Sequence, residues 1–447
     1  VSHALAPLPR RAAALAPVLP LVAVLALLAL PPAGHGAGPA DVASGLVVGY
    51  CVIRLLREGR RPLSPAAALV LGLPVVGVAL AALGASSPET GLAGMGRYLQ
   101  IFVLVPAAVL SLLRGRSDFR VLAWSFVGLA LCEGAVGVHQ YVTRTGASYQ
   151  GEDIRAVGTF GAQDVMGMAS VVSLGLVCAA GIALGRAPVW QRATATGCAL
   201  ALVAPLAVSF SRGAWIATAL TCTLQLALTG LRRTLTVAAA LAAAGVVLVG
   251  GFGVGTAQLQ ERIDSIAQVT DAPDQSVVDR YALWSSAAGM WRDHPLTGVG
   301  LKNFPEYRDG HATLALSSGS DVEGAGAEYH RQALLSPHNM YLLVLSEQGL
   351  IGLLALAGSW LALLVCGVRG LLRVRRRGPG LDCALVACGL LVWVLTDFLY
   401  GDIGGPSTLV TALALGLAAW WALADGARRD VLPHGGVRDR VEGAVAR

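Results

Sequence analysis

Apolar runs of roughly 20 residues recur along the chain, separated by short polar breaks. Twelve can be marked, centred on residues 13–32, 41–57, 65–84, 92–113, 120–142, 164–184, 193–209, 213–230, 234–254, 339–368, 381–400 and 404–424. Each suits a helix crossing the hydrocarbon core of a bilayer. The first follows Arg10 and Arg11 and has no clear stop before the next run, so it reads as a retained span rather than a signal peptide. The tenth is long for one crossing. It reads as an interfacial helix that starts at His338 and dives at Gly349. The pattern predicts an all-α polytopic membrane protein of about 12 transmembrane helices, with no alternating strand pattern and no internal repeat.

One long hydrophilic stretch interrupts the series, from about Gly255 to Pro337. It is too long for a passive connection. Residues 257–269 look helical and charged, and a second helix is predicted over 276–292, stopped by Pro295. Val277, Tyr281, Trp284, Ala288 and Trp291 follow helical spacing and form an apolar stripe. That stripe suits either a bilayer surface or the tops of the spans. Residues 309–327, rich in Gly, Ser and Ala, read as a mobile loop. The expected organisation is a membrane domain of nine spans over 1–254, an extracytoplasmic loop with amphipathic helices over 255–337, three spans over 338–425 and a disordered tail over 426–447.

Composition agrees with this layout. The 447 residues are 55% hydrophobic and only 13% charged, against about 25% charged in soluble domains. Net charge is +6, carried almost wholly by arginine, with Lys302 the sole lysine. We read this as coding preference, not nucleic-acid binding. The arginines cluster in alternate loops: 54–61, 114–120, 186–192, 232–233 and 369–377. The positive-inside rule then makes that side, and both termini, cytoplasmic. All eight cysteines lie in apolar runs without C-x-x-C spacing, which predicts no disulfide framework and no zinc site.

Three residues on the opposite face could carry chemistry. Arg212 lies in Ser209-Phe210-Ser211-Arg212-Gly213, the polar break of a tight hairpin. It either snorkels at the membrane edge or meets an anion, since an Arg at full bilayer depth costs roughly 2.5–3.5 kcal/mol. Phosphate is a natural partner for the guanidinium fork. Arg280 flanks the apolar stripe, where it is either a second phosphate clamp or an ion-pair partner of Asp279. His338 follows Pro337 and opens a helix at Asn339. Its imidazole could accept a proton near neutral pH, or it could act as a cap. Arg155 is a further cation on this face. His294, His311 and His330 have no ligand spacing, and Asp321 and Glu323 read as a solvated loop. Glu133, His139, Glu347 and Asp397 lie in or near apolar runs without an assigned role.

Four segments together resemble the O-antigen ligase and Wzy-type polymerase superfamily of bacterial glycan-assembly enzymes. They are Arg155-Ala156-Val157-Gly158-Thr159-Phe160, Ser209 to Trp215, Arg280-Tyr281 through His294-Pro295-Leu296-Thr297-Gly298-Val299-Gly300, and Pro337-His338-Asn339 with Glu347-Gln348-Gly349-Leu350. The resemblance implies a multispan (GT-C-like), inverting, metal-independent glycosyltransferase in the bacterial cytoplasmic membrane, with its active site facing outward and no cofactor. Its donor would be a glycan on a polyprenyl diphosphate such as undecaprenyl diphosphate. Its acceptor would be a glycan, lipid or protein, with lipopolysaccharide or another cell-envelope polysaccharide as product. It also implies that Arg212 and Arg280 bind the donor diphosphate and that His338 acts on the acceptor hydroxyl, with Arg155 and Asn339 as possible accessories. Asp164 stands where the family often has Asn. A repeat-unit polymerase is the alternative within the class. A flippase or transporter is the alternative outside it, although the repeated halves and broken helices common in transporters are not seen.

Overall fold

A computed structural model describes residues 17–31, 38–59, 63–149, 153–230, 275–313, 316, 320–323, 329–332, 334–377 and 379–424. The expected ninth span at 234–254, the charged stretch at 257–269 and the tail at 426–447 lie outside the described residues. The helices are α1 (Leu19–Leu27), α2 (Pro39–Glu58), α3 (Pro65–Leu83), α4 (Pro88–Leu112), α5 (Arg116–Thr143), α6 (Gly167–Leu184), α7 (Val189–Val208) and α8 (Arg212–Thr229). They continue with α9 (Gln275–Asp293), α10 (Phe304–His311), α11 (Met340–Arg377), α12 (Leu381–Asp397) and α13 (Thr408–Leu423). Seven described helices, α2 to α7 and α11, are long and apolar enough to cross a membrane.

Proline supplies the start of several of these helices. Pro39, Pro65 and Pro88 stand in first turns, where an N–H would lack a partner anyway. Ser64 and Ser87 cap α3 and α4 through their side chains. The last two helices differ from the outer ones. Every side chain of α13 and nearly every one of α12 is buried by protein, as expected of helices that are apolar all round. α12 packs on α6, α8, α11 and α13, and α13 packs on α4 and α11. Polar ties link this core to its neighbours. Gln225 Nε2 of α8 donates to Val177 O and Leu385 O, and Trp393 Nε1 donates to Thr218 Oγ1 at 3.0 Å. Such bonds help join helices where lipid removes any hydrophobic drive between them.

Alternate loops gather at the same end of this bundle. At one end Arg120 pairs with Asp382, and Gly185 packs on Asp382. At the other, Leu301 N donates to Ala81 O, Ala156 N to Val208 O, and Ser407 N to Asp164 Oδ2. Arg97 reaches from α4 to Asp41 Oδ1 at 2.7 Å and to Gly405 O at 2.9 Å.

α11 has the expected break. Gly349 takes φ 65° and ψ −166°, so the helix restarts there. Residues 294–300 fill the break. Leu350 N and Ile351 N, which lose helical partners, donate to Pro295 O and Leu296 O, while Val299 N and Gly300 N donate to Ser346 O and Glu347 O. A methyl at Gly349 would lie 2.3 Å from the Leu296 carbonyl carbon, and one at Gly298 would lie 2.4 Å from that of Glu347. The two glycine-bearing motifs of the sequence are therefore two halves of one joint.

Three expectations need correction. Residues 309–327 are not one loop: α10 extends to His311, and a strand at Ser320–Glu323 pairs antiparallel with Tyr329–Gln332. Asp321 and Glu323 thus sit in a ladder opposite Arg331 and Tyr329. A second short hairpin pairs Ala147–Tyr149 with Asp153–Arg155. Strands of three or four residues are too short to show alternation. On α9 the buried face is Asp279, Ala282, Leu283, Ser286, Ala287 and Met290. Tyr281 of the expected stripe is 55% exposed. The small residues of α9, not its aromatic ones, let it pack closely on α11 and α10.

Candidate functional site

His338 sits in the turn that precedes α11. Its backbone is left-handed, with φ 47°, a conformation rare for a residue with a side chain. Several bonds hold it there. Trp284 Nε1 of α9 donates to Pro337 O at 2.9 Å. His338 N donates to Ser336 Oγ at 3.4 Å, and Ser336 Oγ donates a very short bond to Asp402 Oδ2. Asn339 accepts from Leu342 N through Oδ1 and donates to Leu399 O through Nδ2. Asn339 is therefore a helix cap and a tie to the loop after α12.

The His338 ring is half-buried, with 45% of its side chain accessible and Nδ1 3.9 Å from Asp402 Oδ2. Burial lowers its basicity, the Asp402 carboxylate raises it and the Arg280 guanidinium lowers it. Arg280 is thus near enough for its charge to act on the ring. The net effect is downward, which favours the neutral, proton-accepting form of the imidazole.

Arg212 occupies the first turn of α8, after the cap at Ser211, whose Oγ accepts from Ala214 N. A cation at a helix N-terminus opposes the macrodipole, and an anion there is favoured. Next to it Gly213 leaves room for Tyr400: a methyl at Gly213 would lie 3.2 Å from Tyr400 Cβ. The hairpin that carries Arg212 is braced by Arg155, whose Nε and Nη2 donate to Ser209 O at 3.1 and 2.9 Å. Phe210 is left-handed at φ 49°. Arg155 is thus engaged with the backbone that presents Arg212. Asp164 accepts from Ser407 N at 2.9 Å and from Gly167 N. It lies across the N-terminal ends of α6 and α13, where a carboxylate is favoured.

The loop of residues 398–407 brings these parts together. Through Asp402 it meets Ser336 and His338, through Phe398 O and Leu399 O the start of α11, and through Tyr400 the start of α8. Ser407 and Gly405 O tie it to Asp164 and Arg97. Arg212, Arg280 and His338 therefore share one end of the bundle. The sequence marks Ser336-Pro337-His338-Asn339 as one polar break and Trp284 only as part of the apolar stripe; Asp402 and Tyr400 it does not single out. The one available signal was the polar run Tyr400-Gly401-Asp402 between two apolar stretches.

Such an assembly offers two guanidinium groups, a helix N-terminus and an uncharged imidazole. It can hold a phosphorylated ligand and take a proton from a hydroxyl. Comparison with curated proteins gives no match. Residues 196–357 match the family model Wzy_C, described as O-antigen ligase. That stretch contains Arg212, Arg280 and His338, and also both halves of the joint at Gly349. It includes neither Arg155 nor Asp402. Over residues 196–357 the chain is thus similar to the O-antigen ligase family, and that segment carries the three residues gathered at this end of the bundle.

Proposed function

We propose that the chain is a membrane glycosyltransferase of the O-antigen ligase type, drawing glycan from a polyprenyl-diphosphate-linked donor on the outer face of the cytoplasmic membrane. The observation that carries this reading is the convergence of Arg212 on a helix N-terminus, Arg280 within electrostatic reach of His338, and His338 itself at one end of the bundle.

The donor diphosphate lies against Arg212 and Arg280. The acceptor hydroxyl attacks the anomeric carbon from the face opposite the diphosphate. A glycosidic bond forms and the anomeric C–O bond to phosphate breaks, with inversion. The hydroxyl proton passes to His338, and the electron pair leaves on polyprenyl diphosphate, where the two cations and the α8 dipole meet the growing charge. Ligation to a finished acceptor and polymerisation of repeat units share this step, and product length separates them.

The test is transfer by Arg212→Ala, Arg280→Ala and His338→Ala variants, measured as free polyprenyl diphosphate released and glycan relocated. Each variant is expected to accumulate normally and to lose transfer by about a hundredfold or more. Unchanged transfer in all three overturns the reading. Movement of the lipid-linked glycan with no release from it identifies a flippase instead.

A further inference from the structure

We propose that Asp402 is a positioning residue for His338: its carboxylate draws Nδ1 of the imidazole towards itself and leaves Nε2 to receive the acceptor proton. This rests on the reading of His338 as the base. The carboxylate is only 8% exposed, and both of its oxygens are held. Oδ1 accepts from Gly404 N at 2.9 Å, and Oδ2 accepts from Ser336 Oγ. That same hydroxyl receives the His338 N–H. The two loops are also tied by Met340 N to Phe398 O at 2.9 Å and Asn339 Nδ2 to Leu399 O at 3.1 Å. The carboxylate and the His338 backbone are therefore held side by side, while the imidazole ring keeps the freedom to turn towards Oδ2.

The 3.9 Å between Nδ1 and Oδ2 exceeds a hydrogen bond. Such contacts are often long before substrate binds and close in the reacting complex. The charged groups around the ring favour this assignment. Arg280 faces it from α9 and opposes protonation, while Asp402 faces it from the 398–407 loop and supports protonation. Asp164, Asp397 and Glu347 are also within electrostatic reach of Asp402. When the proton arrives, Asp402 is the anion placed to stabilise the imidazolium and to select the tautomer with Nδ1–H.

The experiment uses the full chain in lipid nanodiscs with a host lipid extract containing the polyprenyl-diphosphate-linked glycan. Release of free polyprenyl diphosphate is followed from about pH 5 to about pH 8. Losing a carboxylate weakens the base, so Asp402→Asn is expected to lower kcat about tenfold or more with KM little changed. The acid limb of its profile should move to lower pH. Asp402→Glu should recover part of both. Ser336→Ala, which releases one oxygen of the carboxylate, should shift the limb in the same direction by less. An inactive His338→Ala beside an Asp402→Asn profile that matches the parent overturns the proposal alone. An active His338→Ala overturns the base reading and the proposal with it. If Asp402→Asn does not accumulate, unchanged limbs in both Asp402→Glu and Ser336→Ala overturn it.

Discussion

At the scale of single residues the site rests on strained backbone held by ordinary bonds. A left-handed conformation costs about 1–2 kcal/mol for a residue with a Cβ, and it persists where the surroundings over-determine it. His338 and Phe210 both adopt it, each at the entrance to a helix that carries proposed chemistry. For His338, one of the holding bonds comes from Trp284 to the preceding carbonyl. Trp284→Phe keeps an aromatic ring and removes the N–H donor. We expect a folded protein that loses about 1 kcal/mol of stability, with a fall in kcat that exceeds any change in KM. Thermal unfolding in detergent and initial rates of donor release check both parts. Arg212 and His338 were legible in the sequence because each is a polar break beside an apolar run, and Arg280 because it flanks a helical pattern. Asp402 was not. It meets Ser336 across 66 positions of sequence, and a lone Asp among glycines looks like a turn. Trp284 was legible only as apolar bulk, because a pattern of side-chain types does not show where one N–H points.

Among the elements, the joint at Gly349 has the clearest physical logic. Its polar groups are exchanged between α11 and residues 295–300 instead of being left unsatisfied, which low-polarity surroundings would punish. Gly349→Ala must fit a methyl 2.3 Å from a carbonyl carbon at φ 65°. Strain of about 1–3 kcal/mol adds to overpacking of about 1–3 kcal/mol, so a lowered Tm and lost transfer are expected. Gly358→Ala is the control. Its nearest neighbour would be Leu73 Cδ1 at 3.9 Å, an ordinary contact, and its Tm should not move. A second element-level test concerns α10, tied to the end of α9 by His311 Nε2 and Asp293 Oδ2 at 2.8 Å. The Asp293 bond and the Tyr307 carbonyl raise the His311 pKa above its ordinary value. A raised histidine stabilises the fold fully below the unfolded pKa of about 6.5 and loses that contribution as pH rises through the folded value. After correction for intrinsic rates, amide exchange in α10 should therefore quicken as pH rises through that folded value. Asp293→Asn should abolish that pH response. The helices themselves were legible from apolar runs. The buried face of α9 was not, since its close contacts use Ala, Ser and Met while its tryptophans lie to the side.

For the whole molecule, the decisive property is that alternate loops meet at the same end. Charge counting along the chain assigns loops to sides but gives no contact between them. The contacts do so independently: Asp164 with Ser407, His338 with Asp402, Leu301 with Ala81 and Arg97 with Gly405 tie together segments that the charge rule places on the cation-poor side. Arg120 with Asp382 and Gly185 with Asp382 do the same for the cation-rich side. Two unrelated arguments thus give one partition of the loops. The proposed transfer on the outer face requires that end to point away from the cytoplasm, so the partition carries a labelling prediction. Thr145 and Arg186 are exposed positions at opposite ends of the bundle. In a background depleted of native cysteines, Thr145→Cys should react with a membrane-impermeant maleimide in intact spheroplasts, and Arg186→Cys should react only after permeabilisation. The reverse pattern would place His338 and both arginines on the cytoplasmic side, where the positive-inside rule would be violated five loops over and an outward-facing transfer would be impossible. Equal labelling of both positions in intact cells would mean that the two ends do not lie across a membrane at all.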